Sequence, residues 1–329
     1  MKKVFCAACA ALAFHVTPAA AQYSMRRTPE LVQLEDAAHH TVVAIAPSAG
    51  NLTREITVNG TNLLGPLGIP FLGPWANRLD EQAFYANGKR YALNMELGNV
   101  RGAHPIHGFL SAAVWEVVDA RADGGSAWVT SRIEFFRQPD WMAQFPFAHT
   151  IEMTHRLRDG ELEITVALHN LSAVPMPVAI GFHPYFRLTD SPRDAWTIAL
   201  GAGTEWLLAD DKIPTGETRP IERRFPDPRA AVLRDHDLDH VFADLIRDAS
   251  GRAAMSVTGT SQTIAVIFGP NYHAAVVYAP KGRDFICFEP MAGITDALNL
   301  AQRGLYTDLQ SIPAGGTWKE TFWIRPRGF

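Results

Sequence analysis

The sequence predicts an all-β protein, a large antiparallel β-sandwich, and three observations carry that expectation. Apolar and polar residues alternate with period two over long stretches, Gly, Pro, Asn and Asp clusters interrupt them about every ten residues, and amphipathic helical runs of ~12 residues are scarce. The 329 residues would by length alone suggest about two domains, but β-sandwiches often pass ~200 residues as one unit. The 22 prolines and 25 glycines are spread out instead of forming a linker, and there is neither an internal repeat nor a charge block, so residues 22–329 read as a single domain. Hydrophobic residues at 47% supply a large core, and charged residues at 19% are too few for disorder. A net charge of −4, from 30 basic and 34 acidic residues, argues against a nucleic-acid partner.

In chain order, the first segment stands apart. Met1-Lys2-Lys3 is basic, Val4 to Val16 is almost wholly apolar, and Ala19-Ala20-Ala21 supplies an A-x-A cleavage site, the layout of a signal peptide over residues 1–21. The apolar run is shorter than the ~20 residues that span a bilayer. A mature chain from Gln22, free of the membrane and periplasmic or secreted, is therefore expected. Its acidity rises, because Lys2 and Lys3 are lost and 28 basic residues face 34 acidic ones. Cys6 and Cys9 leave too, so Cys287 remains alone and no intramolecular disulfide is possible.

Thr41 to Ile45 is a strand candidate, followed by a hairpin turning at Asn87-Gly88 that brings Phe84 opposite Tyr91. Trp115 to Val118 is the next. The clearest hairpin runs through Ile151, Met153, His155 and Leu157, turns at Asp159-Gly160, and returns through Leu162, Ile164, Val166 and Leu168. A two-residue Asp-Gly loop sets Leu157 opposite Leu162 and Met153 opposite Val166, placing every apolar residue, and His155, on one buried face. Thr215 to Arg234, rich in proline and charge, reads as a long surface loop. Ile264 to Phe268, Ala274 to Tyr278, Phe285 to Phe288 and Thr317 to Ile324 complete the strands.

Several chemistries lack their signatures. No G-x-S-x-G, Walker A, H-E-x-x-H or C-x-x-C occurs after residue 21. Gly201-Ala202-Gly203 begins like a dinucleotide loop, but Trp206 stands where a third Gly is needed. Asp235-His236-Asp237-Leu238-Asp239 imitates a calcium loop, yet His240 replaces its Gly and Ile246 its Glu. What remains is polar residues in aromatic and Pro/Gly-rich settings: Asn77-Arg78, His107-Gly108, His183-Pro184-Tyr185-Phe186, Asp239-His240 and Glu289-Pro290. Histidine and carboxylate are the usual proton-transfer pair near neutral pH. Pro184 biases His183 toward an extended backbone, which aims its imidazole. Read singly, His183 as a hydrogen-bonded core residue and Glu289 as a strand-end carboxylate is the plainer account.

Read together, four segments say more. Gly73-Pro74-Trp75-Ala76-Asn77-Arg78-Leu79, His104-Pro105-Ile106-His107-Gly108-Phe109, Gly181-Phe182-His183-Pro184-Tyr185-Phe186 and Cys287-Phe288-Glu289-Pro290-Met291-Ala292-Gly293 resemble, in order and spacing, the aldose 1-epimerase (galactose mutarotase) family. The resemblance runs from about Thr41 to Ile324. It implies the galactose mutarotase-like supersandwich, and a reaction that interconverts the α and β anomers of a free sugar by ring opening and reclosure. By position, Glu289 matches the family's base and His183 its acid. Asn77, Arg78 and His107 match groups that hold sugar hydroxyls and polarise the ring-oxygen side, and Asp239 a carboxylate that accepts hydroxyl hydrogen bonds. No metal or organic cofactor is implied, and the partner is a monosaccharide. A nearby carboxylate, Glu289 or Asp239, is expected to keep His183 protonated at pH 7.

The sequence departs from that pattern at two places. Gly108 is followed by Phe109 where the well-studied mutarotases carry a Gly pair, and Asp140-Trp141 falls where they have a Glu-Gly-Tyr-Pro-like run. Trp75, Phe109, Trp141, Phe182 and Phe186 flank the motifs; core packing is the commoner role of such residues, and stacking against a pyranose is the alternative. His39-His40 and His104 read as exposed polar residues. Competing readings are a hexose-6-phosphate 1-epimerase, which needs cationic groups that the motifs do not display, a non-catalytic carbohydrate-binding protein, and a fold recruited to polysaccharide lysis or hydrolysis.

Overall fold

A computed structural model of the chain describes Met1 and residues 21–329; the expected leader falls on 1–21 and so lies almost wholly outside the described residues. Strands dominate, arranged in antiparallel sheets. Tyr23–Arg27, Val32–Asp36, Thr41–Ala46, Leu52–Val58 and Thr61–Asn62 form a five-stranded meander. A nine-stranded sheet begins with Glu116–Ala122, Ala127–Glu134, His149–Arg158 and Glu161–Asn170, then takes in Thr317–Arg327 and Thr263–Phe268. A seven-stranded sheet is ordered Pro214–Pro220, Ala202–Leu208, Leu238–Leu245, Ala274–Ala279, Cys287–Met291, Gly181–Phe182, Phe71–Leu72.

Alternation explains how the two large sheets meet. Ile164, Phe268 and Phe322 of the nine-stranded sheet and Phe182, Phe242 and Phe288 of the seven-stranded sheet are buried in one core, and the rings of Phe182 and Phe322 lie 4.7 Å apart. The hairpin register is as expected, with Leu157 opposite Leu162 and Met153 opposite Val166. So is the Asn87-Gly88 hairpin, where Phe84 and Tyr91 stack at 4.9 Å. Strand ends moved by a few residues. Trp115 to Val118 is observed as Glu116–Ala122, and Phe285 to Phe288 as Cys287–Met291. His155 is buried on the expected face, but its Nδ1 has no hydrogen-bond partner.

One expectation was wrong. Residues 215–234 are not a long surface loop: Pro214–Pro220 is the edge strand of the seven-stranded sheet, Ala231–Val232 pairs into the nine-stranded sheet, and Ile221, Phe225 and Leu233 are buried. Their charge misleads because two guanidiniums turn inward, Arg219 Nε at 2.8 Å and Arg224 Nε at 2.6 Å from the carboxylate of buried Glu205. Among the described residues no helix is long and apolar enough to cross a membrane.

Candidate active site

Strand register alone gathers half of the site. Asp239 pairs with Tyr278 and Tyr278 with Cys287; one row along, Val241 pairs with Val276, and Val276 with Glu289. Paired residues, and residues two apart on one strand, share a face, so Asp239, Tyr278 and Glu289 point to the same side, away from the main core. Gly181 continues that face, opposite Met291. Beyond it the chain stays extended beside residues 68–72, with the His183 amide donating to Pro70 O (3.1 Å) and the Tyr185 amide to Gly68 O (3.0 Å). Gly181, His183 and Tyr185 therefore face the site, while Phe182 and Phe186 are sealed in the core.

The other half comes from two loops locked together. Asn77 and His107 both take left-handed backbone conformations, with φ of 58° and 61°. Such a conformation costs a non-glycine residue on the order of 1 kcal/mol and is held only where the surroundings fix it. Here the fixing is reciprocal: the His107 amide donates to Asn77 O (3.0 Å), and the Asn77 amide to His107 Nδ1 (3.1 Å). The second bond leaves Nδ1 without a proton, so the imidazole is neutral and its Nε2–H is free to donate. Burial, with the Arg78 charge next in weight, drops the His107 pKa to about 4. Asn77 Oδ1 accepts from the Arg78 amide (2.9 Å) and Nη1 (3.1 Å), and Arg78 Nη2 lies 3.8 Å from Asp239 Oδ2.

These elements enclose a cleft of about 280 Å³, lined by Asn77, Arg78, His107, His183, Asp239 and Glu289 together with Val100, Arg101, Ile106, Tyr185 and Tyr278. All six residues singled out in the sequence meet there. A larger hollow of about 900 Å³ lies elsewhere, lined by Ala199, Asp227, Arg229, Arg252 and Arg325 among others. It holds no histidine, and none of the four motifs reaches it.

At the cleft floor His183 Nε2 stands 3.3 Å from Glu289 Oε1. Glu289 is 1% exposed, and its Oε2 has no partner. The imidazole is held by packing: Tyr185 stacks on its face at 4.4 Å and 5°, with its hydroxyl 3.4 Å from Nε2, and the His107 and Tyr278 rings meet it edge-on. Burial drives the Glu289 carboxyl well up, with Asp239 adding to it, and drives the His183 imidazole well down, with His107 adding to it. This differs from the expectation that a neighbouring carboxylate keeps His183 charged. Both groups are desolvated, so each favours its neutral form.

The five flanking aromatics take the core role, not the stacking one. Neither Trp75, Phe109, Trp141, Phe182 nor Phe186 lines the cleft. Phe109 packs against Trp75, Phe135 and Trp141 instead. The aromatic faces at the cleft belong to Tyr185 and Tyr278, which strict alternation from His183 and through Ala274 to Tyr278 would have found. Arg101 lies outside all four motifs. His104 is not merely exposed, since its ring bonds Leu79 O and Asp211. His39 pairs with Asp36 at 2.8 Å.

Buried neutral histidines give the fold a pH dependence of definite sign. Burial lowers His107, His149 and His240 to about 4 and His155 to about 3. The unfolded chain, with ordinary values near 6.5, binds more protons than the folded one between about pH 4 and 6.5. Stability is thus fully present above pH 6.5 and lost below it, at about 1–2 kcal/mol per histidine by pH 5. Asp296, raised to about 7 by burial, works in the opposite direction, as does Glu289, whose carboxyl burial also raises. The midpoint of urea unfolding is expected to be lower at pH 5 than at pH 7. An equal or higher midpoint would show that these imidazoles are solvated.

Comparison with known proteins places this fold in a class. A galactose mutarotase-like protein from Clostridium acetobutylicum superposes with a TM-score of 0.82 at 18% identity, over 93% of this chain and 98% of the other. The galactose 1-epimerase of Lactobacillus acidophilus NCFM gives 0.73 at 15%, over 93% and 98%. The uncharacterized protein YihR of Escherichia coli (strain K12) is 23% identical over 272 residues, 79% of this chain and 83% of that one. The class is the galactose mutarotase-like fold. Residues 33–325 match the family profile Aldose 1-epimerase, and the chain belongs to that family.

Proposed function

We propose that the protein is an aldose 1-epimerase that interconverts the anomers of a free monosaccharide, with His183 and Glu289 as the proton-transfer pair. The observation that carries this is their 3.3 Å contact at the floor of a cleft of about 280 Å³, room for one sugar ring. Anomerisation takes a proton from the C1 hydroxyl and delivers one to the ring oxygen. Both oxygens are bonded to C1, so acid and base must stand side by side. One imidazole and one carboxyl in contact are the acid and base the reaction needs in either direction. A C1 hydroxyl donating to Glu289 stabilises the carboxylate; the proton on Oε1 then crosses to His183 Nε2, leaving a base on O1 and an acid at the ring oxygen. Rotation about C1–C2 and reclosure give the other anomer. His107 Nε2–H and the Arg78 guanidinium donate to sugar oxygens, Asp239 accepts from hydroxyls, and Asn77 holds Arg78 in place.

Polarimetry on freshly dissolved α-glucose, α-galactose, xylose and arabinose tests the reading. Acceleration of at least one is expected. Sugar binding by calorimetry with no acceleration of any would select a non-catalytic binder. Tyr185 is proposed to act through His183, its stacked ring favouring the imidazolium that forms in turnover. Tyr185→Phe keeps that ring and should retain turnover to within about three-fold, whereas Tyr185→Leu should lower kcat roughly ten- to hundred-fold with KM little changed. Equal effects of the two variants would assign the role to the hydroxyl instead. The leader composition supports cleavage after Ala21 and a periplasmic or secreted site of action. N-terminal sequencing of the mature protein decides it.

A further inference from the structure

The charges in the cleft do not balance, and the surplus sits in one place. Arg78 faces Asp239, and His183 faces Glu289. Arg101 lines the same cleft from an exposed two-residue strand, Val100–Arg101, and among the described residues no carboxylate pairs with it. A neutral pyranose offers hydroxyls and a ring oxygen, which Arg78, His107, Asp239 and the His183–Glu289 pair already serve. An unpaired guanidinium fork at a binding cleft matches a carboxylate or phosphate, the groups it meets with paired N–H donors.

We infer that the cleft favours an aldose bearing an anionic substituent away from C1, a carboxylate or a phosphate, received by Arg101. This rests on the anomerase reading, and it names the substrate class for that site. The sequence concealed it, because Arg101 stands apart from the motifs and the chain is acidic as a whole. The reacting carbon lies at the floor beside Glu289 and the anion at the rim, so the preference is expressed chiefly in KM.

The test compares kcat/KM for α-glucose, α-glucuronate and glucose 6-phosphate in the wild-type protein, Arg101→Gln and Arg101→Lys. At least one anionic sugar is expected to exceed glucose by about ten-fold, the size of one charge-assisted contact. That ratio should fall toward one in Arg101→Gln and recover in part in Arg101→Lys. Which anionic sugar gains identifies carboxylate or phosphate as the group read. A wild-type enzyme that treats glucose at least as well as both, or a ratio untouched in Arg101→Gln, overturns the inference. If no sugar is turned over, the anomerase reading fails, and calorimetry still decides this one: about ten-fold weaker binding of glucuronate or glucose 6-phosphate to Arg101→Gln supports it, and equal binding overturns it.

Discussion

Glu289→Gln is expected to lower mutarotation by roughly 10²–10⁴ while leaving the protein folded, the usual size of one acid or base contribution. The amide has the same shape and cannot exchange a proton with His183 Nε2, 3.3 Å away. The amide fills the same buried volume, so the thermal midpoint should stay close to that of the wild-type protein and serves as the check on folding. His183→Ala should fall by a similar factor. Because the two act as one unit, the double variant should be little worse than either alone. Near wild-type rates in both single variants would refute the assignment.

The second large effect is structural. Gly108 has φ of 58°, and a Cβ there would lie 2.0 Å from Gly73 O and 2.8 Å from Pro74 N. Those are backbone atoms, and Gly73 O is also gripped by the amides of Phe109 (3.0 Å) and Leu110 (3.2 Å), so nothing nearby can yield. Gly108→Ala should cost about 3 kcal/mol or more and push the His107 loop off Asn77. Gly102→Ala supplies the control: φ is 63° and nothing lies within 4 Å of its Cβ, leaving about 1 kcal/mol of backbone strain. Denaturant unfolding of the two variants separates collision from strain. Equal stabilities would mean that the Gly73–Gly108 contact is looser than described.

What the sequence made legible follows from where periodicity is strict. The Asp159-Gly160 hairpin and its register are written in ten-residue strands with one apolar face. His183 and Glu289 were visible because their motifs are local and their directions fixed by alternation. Tyr185, Tyr278 and Arg101 were not, because motif and aromaticity drew notice to Phe182 and Phe186, which the same alternation sends inward. Residues 215–234 were misread because composition cannot tell a solvated arginine from one, such as Arg219, aimed at buried Glu205. The opposite directions in which burial moves His183 and Glu289 were hidden too, since they depend on both side chains being sealed from water at once.

Asn77 and Glu289 are separated by more than two hundred positions, and the loops and strands between them belong to different sheets. No length of chain that stops short of Glu289 can therefore assemble this cleft. Closing so long a span makes refolding slow relative to proteins built on near-neighbour contacts, and recovery of sugar turnover after dilution from denaturant would time the docking of Cys287–Met291.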